Sequence, residues 1–493
     1  MTRAAAERTT GTAVAPTPDE SVHHAVGGLF GRDSVYMLVW GLQLFGAAAM
    51  TPLITRVLGA TEFGAVASAI AVMQVLFGIA GLGLQTAIQR YFAERGPADA
   101  RRLLMLSAVL GAAVTVAADA TGALWSGLLG FDDYTGTLRL AVMWAGASAV
   151  TNAALGLLRS EDRLLMFSCV GVVQSVAAEA MSLVLVLTVR PTALMFILGR
   201  LLAQLAALAL ALAATRPKMF GARHRGLALA GLAFALPLVP AEIANFVMNT
   251  AGRLILRHEL GLEEVARYQI ANNLGAVPAI LITVLNVAWM PRIFALAAGG
   301  QRAAVLAASR DALYRLLIPV MIGLSLGMPI LLRLWAPPEY RPGGLLLVAA
   351  CVIVGVVPYT AALSATRGLL AGGHSGTVAA ATAASAVVNV VLNLVLVPRF
   401  ELPGSAAAAF GAYGVLHLIL LARSRAVAPV PGPGPARLAK VTLAVAITLL
   451  VAYLPASPAF LVLRGVLVVA TVGWFLAVLR QLNVMSAREP DHA

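Results

Sequence analysis

The residues in this sequence best placed to do chemistry are a few ionisable and carboxamide side chains set inside long apolar runs. Glu179 sits in "SVAAEAMSLVLVLT" and Arg200 in "TALMFILGRLLAQLA". An ionisable group inside a bilayer costs roughly 2.5–3.5 kcal/mol on insertion scales, so each needs a reason to be there. Glu179 lies nine residues before Thr188 and Arg200 eight after Thr192, with a tight "VRP" connection between them. At 1.5 Å per residue both fall about 12–13 Å below the same surface, which puts them side by side on neighbouring helices. Two chemistries fit: a structural ion pair that neutralises both charges, or a cavity-lining pair that opens when an anionic headgroup or a proton arrives.

A second constellation occupies residues 236–253, "LPLVPAEIANFVMNTAGR". Pro237 and Pro240 remove two helical donors and are expected to kink a helix near mid-membrane. Glu242, Asn245, Asn249 and Arg253 follow at i, i+3, i+7 and i+11, one face of a helix. A polar stripe beside a kink suits a cavity wall and a bending element, although hydrogen bonding between packed helices uses the same residue types. Asp119 is a further pathway candidate in the outer half of its helix. Gln74, Gln85, Asn272, Asn273, Asn389 and Asn393 read first as packing hydrogen bonds. Arg56 and Arg257 read as snorkelling anchors or parts of an outer gate.

The elements that must carry these residues follow from composition. The chain has 493 residues, 60% hydrophobic and 12% charged, with a mean hydropathy of +0.88. That is too apolar for a water-soluble protein and reads as a polytopic membrane protein. A bilayer core takes about 20 apolar residues per helix, and backbone groups in lipid must be satisfied internally, so the fold class expected is all-α. Apolar runs lie at roughly 34–57, 63–86, 103–126, 136–158, 164–188, 192–214, 227–251, 264–290, 312–335, 343–366, 376–398, 402–422, 437–455 and 457–480, about fourteen transmembrane helices.

The net charge of +13 rests on 35 basic residues, all but two of them arginine, scattered over the loops. Without aromatic interleaving this is no nucleic-acid surface. Alternate loops collect about 24 of the basic residues, including Arg90, Arg95, Arg101 and Arg102, which places those loops and both termini in the cytoplasm. The chain is therefore expected in the cytoplasmic (plasma) membrane. Residues 1–33 read as a disordered cytoplasmic tail, the Pro/Gly-rich stretch 426–436 as a linker, 437–480 as a terminal helix pair and 481–493 as a cytoplasmic tail. Cys169 and Cys351 have no metal-ligand spacing and read as small core residues. With no phosphate-binding loop, no metal spacing and no nucleophile–base pair, neither an enzyme nor a cofactor is expected, and ATP hydrolysis by this chain is excluded.

The halves echo one another. "LITRVLGATEFG" from Leu53 is matched by "LILRHELGLEEVARY" from Leu254, "RYFA" at Arg90 by "RIFA" at Arg292, and "SLVLV" at Ser182 by "NLVLV" at Asn393. These matches keep their order at offsets of about 200–210 residues and at equivalent topological positions, which favours duplication. Each unit holds six helices, so lobes 34–226 and 227–425 enter the membrane with the same orientation as parallel repeats. Two such lobes flanking a cavity form the layout of an alternating-access transporter.

The stretch "LITRVLGATEFGAVASAIAVMQVLFGIAGLGLQTAIQRYFA" resembles the first helical hairpin of Wzx-type polysaccharide flippases, within the multidrug/oligosaccharidyl-lipid/polysaccharide exporter superfamily. "VPRFELPGSAAAAFGAYGVL" and "LYRLLIPVMIGLSLGMPILLRLWAPPEY" are similar to that family's eleventh-to-twelfth helix junction and its ninth helix with the following loop. The resemblance covers residues 34–425. It implies a monomeric flippase that moves polyprenyl-pyrophosphate-linked oligosaccharide to the outer leaflet, with membrane lipids around it and polysaccharide polymerase and glycosyltransferases as partners. Two features depart from relatives. Gly252, not an acid, precedes Arg253, and the first helix carries only Arg56, which disfavours a lipid II substrate. The alternatives are a cation-coupled multidrug exporter of the same superfamily, or a membrane-embedded polymerase or glycosyltransferase. The latter would call for a large outer loop or a soluble catalytic domain.

Overall fold

A computed structural model describes residues 33–131, 133–219, 224–295, 300–427, 429–455 and 457–486, by backbone alone at 33–49, 287–288, 290–295, 300–301 and 482–486. The tail expected at 1–33 lies almost wholly outside the described residues, as does most of 481–493. Every described element is helical. The helices are α1 (33–58), α2 (60–81, continuing in Leu84–Arg95), α3 (Pro97–Ala120), α4 (Gly136–Ser160), α5 (Leu164–Thr188), α6 (Ala193–Thr215) and α7 (Arg225–Leu260). They are followed by α8 (Leu262–Gly275 and Val277–Ala295), α9 (Gly300–Trp335), α10 (Leu346–Ala371), α11 (375–400), α12 (402–427), α13 (Pro435–Ala452) and α14 (Pro458–Ser486).

Among the described residues, eleven helical stretches are long and apolar enough to cross a membrane, or twelve with the α8 pair, which bends by 48°. The number is below fourteen because α1–α2 and α11–α12 run on as near-continuous helices, broken only at Gly59 (φ 72°, ψ 172°) and Glu401 (φ 52°, ψ −130°). Helix junctions gather at two ends. Gly59, the 121–135 connection, Gly261 and the 336–345 connection meet at one end, where Tyr340 Oη donates to Thr55 O at 3.2 Å and Arg56 Nη2 to Leu334 O at 2.9 Å. Arg90, Arg101 and Arg163 gather at the other, where Arg101 pairs with Glu161 at 2.8 Å and Arg163 caps Ala214 O.

The two echoed stretches take the same backbone shape. Gly59 and Gly261 both sit at positive φ with extended ψ (72°/172° and 89°/−178°) between consecutive helices. Only glycine enters that region without strain, so the likeness of the two segments extends from letters to dihedrals.

Packing divides α7. Its first part, Arg225–Ala235, buries Leu227 and Ala235 against α2, α3 and α6. Its second part, Val239–Leu260, packs mainly on α11 and α12 and puts Ala244 and Met248 in a cluster with α10. Between them the α-helix gives way to a 3-10 turn at Leu236–Leu238, where Pro237 and Pro240 have no donors to give. The break lets one helix belong to both halves of the molecule. Cys169, expected in the core, is exposed on α5, and Cys351 is half-buried on α10. A small thiol on a membrane helix meets lipid at no penalty, so its apolar sequence context did not distinguish core from lipid contact.

Close helix approach is clearest between α5 and α6. A Cβ on Gly199 would stand 2.4 Å from Ser182 Cα, so the missing side chain is what allows the two backbones to meet. Gly199→Ala should lower the melting temperature of the detergent-purified protein, with an overpacking cost of about 1–3 kcal/mol. Gly473→Ala on α14, where a Cβ meets nothing within 4 Å, should leave it unchanged.

Candidate functional site

Two broken helices face one another across a cavity of about 240 Å³. On α2 the helix is interrupted at Leu82 (φ 48°) and Gly83 (φ 65°). On α7 the interruption is the turn at Leu236–Leu238, and Gly83 comes so close that a Cβ there would be 2.5 Å from Ala235 O. Discontinuous helices at membrane depth leave backbone groups free where they line a cavity. Here they bring together Phe77, Gly81, Gly83 and Gln85 from α2, Ala149 and Asn152 from α4, and Glu242, Asn245 and Phe246 from α7.

The polar groups in this lining are carboxamides and one carboxylate. Asn152 Nδ2 donates to Gln85 Oε1 at 2.6 Å, tying α4 to α2. Glu242 has no hydrogen-bond or ion-pair partner among the described residues, and half-burial keeps it from full solvation. Asn245 is exposed beside it. Phe77 and Phe246 meet edge to face at 5.5 Å and form the apolar wall.

Toward the Gly59 end the space is closed by contacts between α2 and α7. Arg253 is 7% exposed and donates to Gln74 Oε1 on α2 at 3.0 Å, to Gln269 Oε1 on α8 at 3.1 Å and to Asn249 O at 3.2 Å. Nearer the surface Arg257 donates from Nε to Gly130 O at 3.0 Å and lies over the Phe131 ring, 3.9 Å from its centroid. A Cβ on Gly64 would overlap Leu262 O, so α2 and the start of α8 touch through backbone. The cavity is thus sealed toward that end and its polar lining lies toward the Arg90 end.

The expected stripe on α7 therefore splits in function. Glu242 and Asn245 line the cavity, Arg253 is buried in the seal, and Asn249 accepts from Tyr413 Oη at 3.4 Å while donating to Asn245 O at 2.7 Å. Arg257 belongs to the seal, whereas Arg56 stays exposed and caps carbonyls of Pro52 and Leu334.

Glu179 and Arg200 are hydrogen-bonded to each other as an ion pair, but inside the first half of the chain rather than in the cavity lining. Their side chains are 5% and 15% exposed, and the guanidinium lies over the rings of Trp144 and Phe196 at 5.3 and 5.2 Å. Glu179 Oε2 and Arg200 Nε remain buried without partners. A π-helical turn, Val173–Ala177, ends two residues before Glu179. Such turns interrupt the regular hydrogen-bond ladder and recur at functional sites. The α4 helix links the two places, carrying Trp144 against the pair and Asn152 in the cavity.

Asp119 lies elsewhere, at the Gly59 end, where it accepts from Tyr134 Oη at 2.7 Å and sits 3.5 Å from Arg139 Nε. The Tyr134 hydroxyl, outside the helices, is pushed upward in pKa by burial and by this carboxylate. Three features had no sequence signal. Asn152 is an isolated polar residue in a small-residue run, Phe77 and Phe246 look like ordinary core aromatics, and Arg367 stands at a helix end. Arg367 is 1% exposed, donates to Asn286 Oδ1 at 2.6 Å and Ser309 Oγ at 3.1 Å, and stacks 5.5 Å from Trp289.

Broken helices, a sealed end and a central polar cavity define a protein of the transporter-fold class. The chain belongs to the polysaccharide biosynthesis protein family, whose profile matches residues 34–297. It is 29% identical over 307 residues to the succinoglycan biosynthesis transport protein ExoT of Rhizobium meliloti (strain 1021), a match covering 59% of each protein. The chain thus spans about three-fifths of the length of that curated relative. Its fold is similar to lipid II flippase MurJ in an inward closed conformation, with TM-score 0.68, 12% identity, and 91% of this chain and 98% of that one covered. It is also similar to an inward-facing multidrug resistance MATE family transporter, with TM-score 0.61, 15% identity, and 83% and 97% covered.

Proposed function

We propose that the protein is a flippase, not an enzyme, which moves polyprenyl-pyrophosphate-linked oligosaccharide across the cytoplasmic membrane for cell-envelope polysaccharide synthesis. The observation that carries this reading is the cavity between α2, α4 and α7, which is sealed at one end and walled by carboxamides and aromatic rings. Family membership and the transport role in the relative's name supply the substrate class. The arginines gathered at the Arg90 end support a cytoplasmic position for that end, and with the opposite end sealed the reading is of an inward-facing state. Fourteen crossings follow if α1–α2 and α11–α12 each turn back at Gly59 and Glu401, which puts both termini in the cytoplasm. The lobes 34–226 and 227–425 rock about the break in α7, with the pair α13–α14 packed on α9. The chain works as a monomer, beside the glycosyltransferases that load the lipid and the polymerase that consumes it.

Reconstitution into vesicles provides the test. A polyprenyl-diphosphate-linked sugar added to one leaflet should reach the other at a rate proportional to protein, and deletion in cells should accumulate lipid-linked oligosaccharide on the cytoplasmic leaflet. Protein-independent translocation, or transport of organic cations with none of the lipid-linked sugar, would overturn the flippase reading in favour of drug export.

A further inference from the structure

We propose that Glu242 makes the cavity selective for headgroups whose lipid-proximal sugar is uncharged, and against those in which it is a uronic acid. This rests on the flippase reading and adds to it which sugars are carried. The lining holds three carboxamides, Gln85, Asn152 and Asn245, one carboxylate, and the two phenyl rings of Phe77 and Phe246. Among the described residues no cationic side chain lines it. Carboxamides both donate and accept, so they match vicinal hydroxyls, while a carboxylate only accepts and needs a hydroxyl donor opposite it. The Gln85–Asn152 bond uses Asn152 Nδ2 and Gln85 Oε1, and holds the free Gln85 amide nitrogen and Asn152 oxygen in fixed positions. The phenyl rings offer an apolar face for the C–H side of a pyranose.

Among the described lining residues Glu242 is the one charged member, and none of the others neutralises it. A second carboxylate brought in by the substrate would face it across a space walled by neutral carboxamides and phenyl rings, where like charges are strongly disfavoured. Positive charge stands instead at the mouth. Arg90 lies five residues beyond Gln85 on α2, about 7.5 Å along the helix toward the cytoplasm. It lies over the Phe234 ring at 4.4 Å, and its partner Glu94 is as exposed as it is, 47% against 48%. An exposed pair of that kind exchanges readily for another anion. The geometry therefore divides the headgroup, with the diphosphate held at the rim by Arg90 and the first sugar inside against Glu242.

Proteoliposomes loaded with either polyprenyl-diphosphate-linked glucose or the glucuronate analogue test this, with flipping read by protection from a membrane-impermeant oxidant. The wild type should flip the glucose lipid about a hundredfold faster than the glucuronate lipid, in line with the cost of like-charge contact. Glu242→Gln should bring the ratio near one by raising the glucuronate rate. Asn245→Asp, at an exposed cavity position that tolerates charge, should widen the ratio and provides the test if Glu242→Gln is poorly folded. Equal wild-type rates on the two lipids, or a ratio unmoved by both variants, would overturn the selectivity. Failure of the wild type to flip either lipid would instead overturn the flippase reading on which it rests.

Discussion

Glu179→Gln should cost the purified protein about 3–5 kcal/mol and reduce flipping to background, because removing one partner of a buried pair strands the other. Arginine cannot shed its proton in a protein, so the guanidinium would remain charged with only a neutral carboxamide and the Trp144 and Phe196 rings beside it. Those rings return about 2 kcal/mol at most in a desolvated site. Arg200→Gln strands the buried carboxylate instead, at a similar cost of about 3–5 kcal/mol. The two single variants should therefore be similarly unstable.

The double variant Glu179→Gln/Arg200→Gln separates the two roles. Two amides fit the same space and bond each other, so most of the lost melting temperature should return. A pair that serves only packing would then flip normally. We expect the double variant to be folded and at background, since two atoms of the pair, Glu179 Oε2 and Arg200 Nε, are buried without partners. A π-helical turn ends two residues before Glu179. A site built for stability alone would fill those bonds and keep its helix regular. Normal flipping by the double variant would assign the pair to structure.

How much of this was legible in the sequence depends on the range of the forces involved. The Glu179–Arg200 contact could be read because a three-residue reversal fixes the register of two adjacent helices, leaving little freedom in which residues meet. The break in α7 could be read because proline removes a donor wherever it stands. The four-residue stripe on α7 was only half legible. Helical periodicity correctly groups Glu242 and Asn245, but it carries no information on which neighbour covers the far end. There α2 and α8 bury Arg253, while Tyr413 bonds Asn249. Asn152 was illegible for the same reason, since its partner Gln85 is 67 residues away. Asp119 stands one residue before α3 ends at Ala120, where contacts from the following connection and helix, Tyr134 and Arg139, set the surroundings of its carboxylate. The fourteen runs read from sequence and the eleven or twelve apolar helical stretches of the described residues differ where Gly59 and Glu401, at positive φ, interrupt long helices without a loop.

Arg253→Met should shift the conformational equilibrium toward opening at the Gly59 end. The guanidinium bridges Gln74 on α2 and Gln269 on α8, and only the first of these bonds spans the two halves. A hydrogen bond to a charged group contributes about 1.5–3 kcal/mol, so its loss should change the closed-to-open ratio by about ten- to a hundredfold. Global stability should not fall in proportion, because methionine fills much of the same volume and removes a buried charge that has only neutral acceptors. Spin labels at Leu128 and Glu259, both exposed at that end, would read the change as a growing long-distance population. Gln74→Ala should act in the same direction, since it removes the acceptor across the seam, whereas Gln269→Ala should not, since α8 lies on the same side as Arg253. Flipping should fall about tenfold in Arg253→Met, because a carrier held in one state returns slowly for the next substrate. Distance distributions unchanged in both Arg253→Met and Gln74→Ala would show that the closure rests on the Gly64–Leu262 backbone contact and on Arg257 against Phe131, with Arg253 only filling space.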